Sequence, residues 1–218
     1  MKKVLYSKFD KKRIDQLPVA QFQGRIIVII TKGETKKAVD YLLSQGILGV
    51  DTETRPSFEK GKTHRVSLLQ VSTYNICFLF RLNLTGITPD IMRLLEDTSV
   101  PKIGISWHDD ILGLQKRCKF TPGYFIDIQD LIGELGIEDK SLQKLYANFF
   151  HERIIKRQQL SNWENRVLTD KQKLYAATDA WACLKIYDEI TRLLKTKDFE
   201  LEIVKDELQD NIPEEREG

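Results

Sequence analysis

The chain has 218 residues, 41% of them hydrophobic and 30% charged, which is enough for one sizeable core at an ordinary soluble composition. It holds no run of about 18 apolar residues, and the basic start Met1 to Arg13 has no apolar stretch behind it, so a membrane span and a signal peptide are not expected and a cytoplasmic location is. The net charge of +2 is uneven: Asp198 to Gly218 holds nine acidic and two basic side chains, net −7, which leaves +9 on residues 1–197.

In chain order, Gly24 to Thr31 is a β-branched run bounded by glycine and suits a buried strand. A helix over Thr35 to Leu43 follows, with Thr35 as its cap and Ala38, Val39, Leu42 and Leu43 on one face. Ile47 to Glu53 reads as a strand, Arg55 to His64 as a polar loop, and Val66 to Ser72 with Ile76 to Phe80 as a hairpin across Thr73-Tyr-Asn75. Pro89 to Leu95 is a short helix, Lys102 to Ser106 a strand, Asp109 to Arg117 a helix, and Tyr124 to Ile128 a strand. Helices over Ser141 to Phe149 and Thr169 to Leu194 complete the series. Hairpin strands early and strand-helix alternation later imply an α/β fold with a mixed β-sheet flanked by helices. Residues 1–197 are expected to form a single domain. Residues 198–218 are expected to be an acidic tail, partly disordered, that starts as a docked helix using Leu201, Ile203, Val204 and Leu208. Cys77, Cys118 and Cys183 are far apart, without C-x-x-C spacing, and are expected to be buried free thiols.

Chemistry concentrates in three places. In Gly49-Val-Asp-Thr-Glu-Thr54 an apolar strand ends in two carboxylates one residue apart. Strand side chains alternate, so Asp51 and Glu53 share a face; burying both is costly unless a cation offsets their repulsion, and a solvated strand end with two surface acids is the other reading. In Lys173-Leu-Tyr-Ala-Ala-Thr-Asp-Ala180, Tyr175 and Asp179 stand four apart on one helix face. Asp109 and Asp110 open a helix after Gly104-Ile-Ser-Trp-His108, a place that also favours acids for capping and dipole reasons.

Taken in order, D-x-E on a strand, an aspartate opening a middle helix and Y-x-x-x-D on a late helix resemble the DEDD exonuclease superfamily, tyrosine subgroup. Arg65-Val-Ser-Leu-Leu-Gln-Val71 looks like that family's second strand. The segments Leu160 to Trp163 and Leu168 to Ala180 are similar to the Werner-type exonuclease domains, with ribonuclease D more distant. The resemblance covers roughly residues 24–194 and implies a ribonuclease H-like, DnaQ-like exonuclease fold. The family spacing, with an apolar-glycine pair before the aspartate and a leucine four residues after it, selects Asp110 with Leu114 over Asp109, which places Gly113 where leucine belongs.

The resemblance implies a 3′-5′ exonuclease that releases nucleoside 5′-monophosphates. Asp51, Glu53, Asp110 and Asp179 would hold two Mg²⁺ or Mn²⁺ ions roughly 3.5–4 Å apart, with Asp51 bridging and Asp110 acting through water, while Tyr175 would orient the attacking water, with acceptance of its proton as the role left open beside it. The expected partner is nucleic acid, DNA or RNA, single-stranded or with a recessed 3′ end. Its phosphates would meet Arg55, Lys60, Lys62, His64 and Arg65, or Arg153, Lys156 and Arg157. Trp107 and Trp163 are expected in the core, with base stacking as their other use, and His64, His108 and His151 lack zinc-ligand spacing. A catalytically silent nucleic-acid-binding adaptor on the same fold is the alternative, and it would be expected to have lost one or more of the acids.

Overall fold

The computed structural model describes residues 2–204. Strand β1 (Lys3–Tyr6) and helix α1 (Lys11–Ile14) precede β2 (Arg25–Ile29), α2 (Lys32–Leu43), β3 (Leu48–Thr54), β4 (Val66–Ser72) and β5 (Ile76–Phe80). Then come α3 (Leu82–Thr85), α4 (Pro89–Glu96), β6 (Lys102–Gly104), α5 (Trp107–Gln115), β7 (Phe125–Asp127) and α6 (Ile128–Ile132), followed by the 3₁₀ turn Gly133–Leu135. The series ends with α7 (Leu142–Phe150), α8 (Asp170–Thr196) and β8 (Phe199–Glu202).

Six strands form a mixed sheet in the order β2-β5-β4-β3-β6-β7, in which β4 runs antiparallel to β3 and β5 and the other pairs are parallel. Alternation along the strands divides the core between two faces. Leu48, Val50, Leu69, Val71, Phe78 and Phe80 pack with Val39, Leu42 and Leu94 of α2 and α4 on one side. Leu68, Cys77 and Leu79 meet Ala176 and Ala177 of α8 on the other. Asp51 and Glu53 therefore stand on the α8 face, the odd-numbered face of β3.

Small residues let α8 approach that face closely. A Cβ on Gly49 would sit 2.1 Å from the Ala180 carbonyl oxygen, so Gly49→Ala forces the helix and strand apart. The expected loss is roughly 2 to 3 kcal/mol, visible in a thermal melt as a fall of about 4 to 12 °C.

Several expectations are corrected. The cap of α2 is Thr31, not Thr35: Thr31 and Glu34 form a reciprocal capping box, while Thr35 is buried inside the helix and its hydroxyl donates to the Thr31 carbonyl. Strand β6 stops at Gly104 rather than Ser106, because Trp107 folds back over Gly104 and Ser106 takes a left-handed φ of 57° that turns the chain into α5. Asp127 ends β7 and caps α6, so Ile128 is helical. The docked helix expected near Leu201 is the strand β8, which pairs parallel with β1 from Lys3–Phe199 to Tyr6–Glu202; Leu208 lies outside the described residues. Cys77 and Cys183 are buried free thiols, but Cys118 is only partly covered. Trp107 and Trp163 are both core residues. Among the described residues no helix is long and apolar enough to cross a membrane.

Candidate active site

One ligand oxygen from each of Asp51, Glu53 and Asp179 can be chosen so that all three lie within 4.8 Å of one another. The strand alternation supplies the first two and α8 supplies the third. Glu53 and Asp179 are buried and Asp51 is half-buried at the floor of a cleft of about 270 Å³. The cleft is walled by Ser106, Lys140, Gln143, Lys156 and Tyr175.

Lost hydration and mutual repulsion dominate the electrostatics. Burial, then the charges of Asp179 and Asp110, raise the Asp51 carboxyl well above the ordinary range. Burial, then Asp51, Asp179 and Asp110, push Glu53 up to about 10. Asp179 is raised to about 7 by burial, held back by the Tyr175 hydroxyl and the Lys156 ammonium. The buried Asp179 Oδ1 has no hydrogen-bond partner among the described residues. Three converging carboxylates with an orphaned oxygen form a donor set short of positive charge, and hard oxygen donors in that arrangement fit a divalent cation.

Asp110 stands outside the tight triplet, in the first turn of α5. It accepts from the Thr52 hydroxyl, and burial raises it to about 6 against that bond, with Asp109 and Asp127 adding to the rise. Asp109 is solvent-exposed. The orientation of α5 depends on Asp127, whose carboxylate accepts from the backbone N–H of Ser106 at 3.1 Å, Trp107 at 2.8 Å and Gln129 at 2.9 Å. Neither Thr52 nor Asp127 was singled out from sequence: Thr52 looks like a spacer between two acids, and Asp127 lies 17 residues beyond Asp110 with no shared motif.

Tyr175 packs against Trp163 with ring centroids 6.0 Å apart, and the buried indole holds the phenol over the cleft. Burial and the charges of Asp179 and Glu53 raise the Tyr175 hydroxyl above its ordinary range, so it stays protonated and acts as a donor. The basic candidates separate. Lys156 reaches the cleft, and Arg157 lines an adjoining hollow of about 250 Å³ that shares Tyr175 and Ile154 with it. Arg153 commits its Nε–H to the Leu17 carbonyl at 3.0 Å. Arg55 and His64 converge on Glu164 at 3.2 and 3.5 Å, tying the loop after β3 to the segment before α8, and Lys62 pairs with Glu59. Lys60 and Arg65 are exposed. Lys140 is a cleft cation that no motif marked.

The family described as 3′-5′ exonuclease matches residues 26–195, a span that contains every group of this site. The chain belongs to the 3′-5′ exonuclease family. A mouse relative, the bifunctional 3′-5′ exonuclease/ATP-dependent helicase WRN, is 31% identical over 189 residues, covering 82% of this chain and 14% of that protein. The chain thus spans far less than two thirds of that relative's length. The exonuclease family fold is shared with the Aedes aegypti Nibbler EXO domain, at a TM-score of 0.75 and 21% identity over 84% of this chain and 95% of the other. It is shared also with Trypanosoma brucei ribonuclease D solved in complex with RNA U12, at a TM-score of 0.67 and 20% identity over 78% of this chain and 63% of the other.

Proposed function

We propose that the chain hydrolyses phosphodiester bonds from the 3′ end of a nucleic acid, releasing nucleoside 5′-monophosphates, with Mg²⁺ or Mn²⁺ held by Asp51, Glu53, Asp179 and Asp110. The observation that carries this is the carboxylate triplet, whose ligand atoms gather within 4.8 Å inside the span matched to the exonuclease family. Divalent cations bound there would activate water and offset the charge on the leaving 3′ oxygen. Asp51, Glu53 and Asp179 would be the direct ligands, and Asp110, outside the triplet and held by Thr52, would support a second ion from α5.

Tyr175 donates its proton-bearing hydroxyl into the cleft and orients the water for in-line attack, which supports a place in the tyrosine subgroup. Lys156 and Lys140 on the cleft wall suit the phosphates on either side of the scissile bond. The ribonuclease D relative bound to RNA supports a nucleic-acid substrate.

The test uses 5′-labelled DNA and RNA oligonucleotides, single-stranded and with recessed 3′ ends, with Mg²⁺, Mn²⁺ or EDTA. A ladder shortening from the 3′ end that disappears in EDTA is expected, whereas a ladder that persists in EDTA rules out the cation chemistry. No ladder on any substrate, with oligonucleotide binding kept, favours the silent adaptor. Asp127→Ala removes the acceptor for three backbone N–H groups, so α5 loosens and Asp110 loses its fixed position. Turnover is expected to fall about 10- to 100-fold, as for other outer partners of metal ligands, with a stability loss of roughly 1 to 2 kcal/mol, read from ladder rates and a denaturant titration.

A further inference from the structure

Gln70 is fully buried on β4, and neither its side-chain nitrogen nor its oxygen has a hydrogen-bond partner among the described residues. Buried amides are nearly always paired, so an orphan of this kind requires a reason. An apolar residue of the same length, leucine or methionine, would fill the space without leaving polar atoms unpaired.

The strand register locates the amide. Gln70 pairs directly with Asp51 on β3 and with Leu79 on β5. Its neighbours alternate correctly for the α8 side: Leu68 packs against Ala176 and Ala177, while Leu69 and Val71 pack on the opposite face. Asp51 and Gln70 are therefore cross-strand neighbours on one face, where Cβ atoms stand about 4.5–5.5 Å apart, a gap that a glutamine side chain spans. The orphaned amide thus adjoins the carboxylate cluster that contains the orphaned Asp179 Oδ1.

We infer that Gln70 is a positioning residue for the cation site: once a divalent cation is bound, the unpaired Nε2–H turns to the facing Asp51 carboxylate, donates to it and fixes the direction in which Asp51 presents its other oxygen. This rests on the reading of Asp51, Glu53 and Asp179 as cation ligands. Gln70 touches neither substrate nor cation and acts through Asp51. Asp51 then has a donor on the strand side and the cation on the cleft side, the arrangement in which an outer partner orients a ligand.

Gln70→Leu and Gln70→Met keep the volume and remove the amide. The probe is Mn²⁺ alone, titrated into the full chain and followed by the electron paramagnetic resonance signal of the free ion. Both variants are expected to bind Mn²⁺ about 10- to 100-fold more weakly than the wild-type protein, and both are expected to melt in EDTA at or above the wild-type temperature. Mn²⁺ affinity within about twofold of wild type in either folded variant overturns the inference. So does an EDTA melting temperature well below wild type in both, which would mark Gln70 as a fold residue. Asp51→Asn separates the two levels. Wild-type binding that Asp51→Asn abolishes and Gln70→Leu leaves intact removes only the role of Gln70. An absence of Mn²⁺ binding by the wild-type chain removes the cation site and this inference together.

Discussion

Asp179→Asn is expected to abolish turnover and, in the absence of cations, to make the protein more stable. The two effects share one cause. Asp179 is buried at the junction of α8 with β3, within the triplet formed with Asp51 and Glu53. Asparagine keeps the shape, removes one of the three carboxylates that would hold a cation, and spares the folded state the burial of a charge. The loss of turnover should be on the order of 10³-fold or more, as when a group that stabilises transition-state charge is removed. The gain in stability at pH 8 in EDTA should be on the order of 2 kcal/mol, or about 4 to 8 °C in melting temperature.

The sign with pH follows from the direction of the shifts. Glu53 at about 10, Asp179 at about 7 and the raised Asp51 all have folded-state values above the ordinary carboxyl range. The folded state therefore holds protons that the unfolded chain has already released, and stability falls as pH rises from about 4 through these values. In EDTA the wild-type melting temperature should drop between pH 5 and pH 8, and that of Asp179→Asn should drop less, the two curves converging near pH 4. Saturating Mn²⁺ should flatten the wild-type curve, since a ligand bound only by the folded state adds about 2.7 kcal/mol at a hundred times its Kd. Equal melting temperatures for the two proteins at pH 8 in EDTA would show that the buried charge of Asp179 does not govern the stability of the cluster.

Tyr175→Phe carries the second largest effect. Phenylalanine keeps the ring against Trp163 at the observed centroid separation of 6.0 Å and removes one hydroxyl. That hydroxyl is a donor, because burial and the neighbouring acids keep it protonated, so under the proposed mechanism the substitution would remove orientation of the water rather than a base. Turnover should fall about 10²-fold, the lower end of what a positioned proton-bearing group contributes, while Mn²⁺ affinity stays within about twofold. Single-turnover rates and an Mn²⁺ titration read the two quantities separately. A parallel loss of Mn²⁺ affinity would mean that Tyr175 works by holding Asp179 in place.

Much of this arrangement is legible in local patterns. Two-residue alternation places Asp51 and Glu53 on one face, and the four-residue step places Tyr175 and Asp179 together, because both periods are short-range properties of the backbone. The boundaries of β4 and β5 agree with the hydrophobic runs for the same reason. What escaped depends on distant pairing. Strands β1 and β8 have four residues each and are held by their pairing across nearly the whole chain and by the packing of Leu5, Phe199 and Leu201 on a core built from distant helices, so neither shows a periodicity strong enough to read. The bond from Thr52 to Asp110 and the capping of α5 by Asp127 arise from the packing of α5 against β3 and β7. Ser106 and Trp107 end β6 early through a side chain folding back on glycine, which an apolar run does not announce.

Strand β3 is an interior strand of the six, hydrogen-bonded to β4 on one edge and β6 on the other, with α8 laid across its face. Backbone amides in such a place are expected to exchange slowly, and those of the mostly exposed loop over residues 55–63 faster. Asp51 and Glu53 lie just beyond the β6 pairing, which ends at Gly49, and are anchored by β4 on one edge and by α8 across the face. Removing the cation should therefore speed hydrogen exchange together at the slowest amides of β3, β4 and β6, far from the cleft as well as beside it.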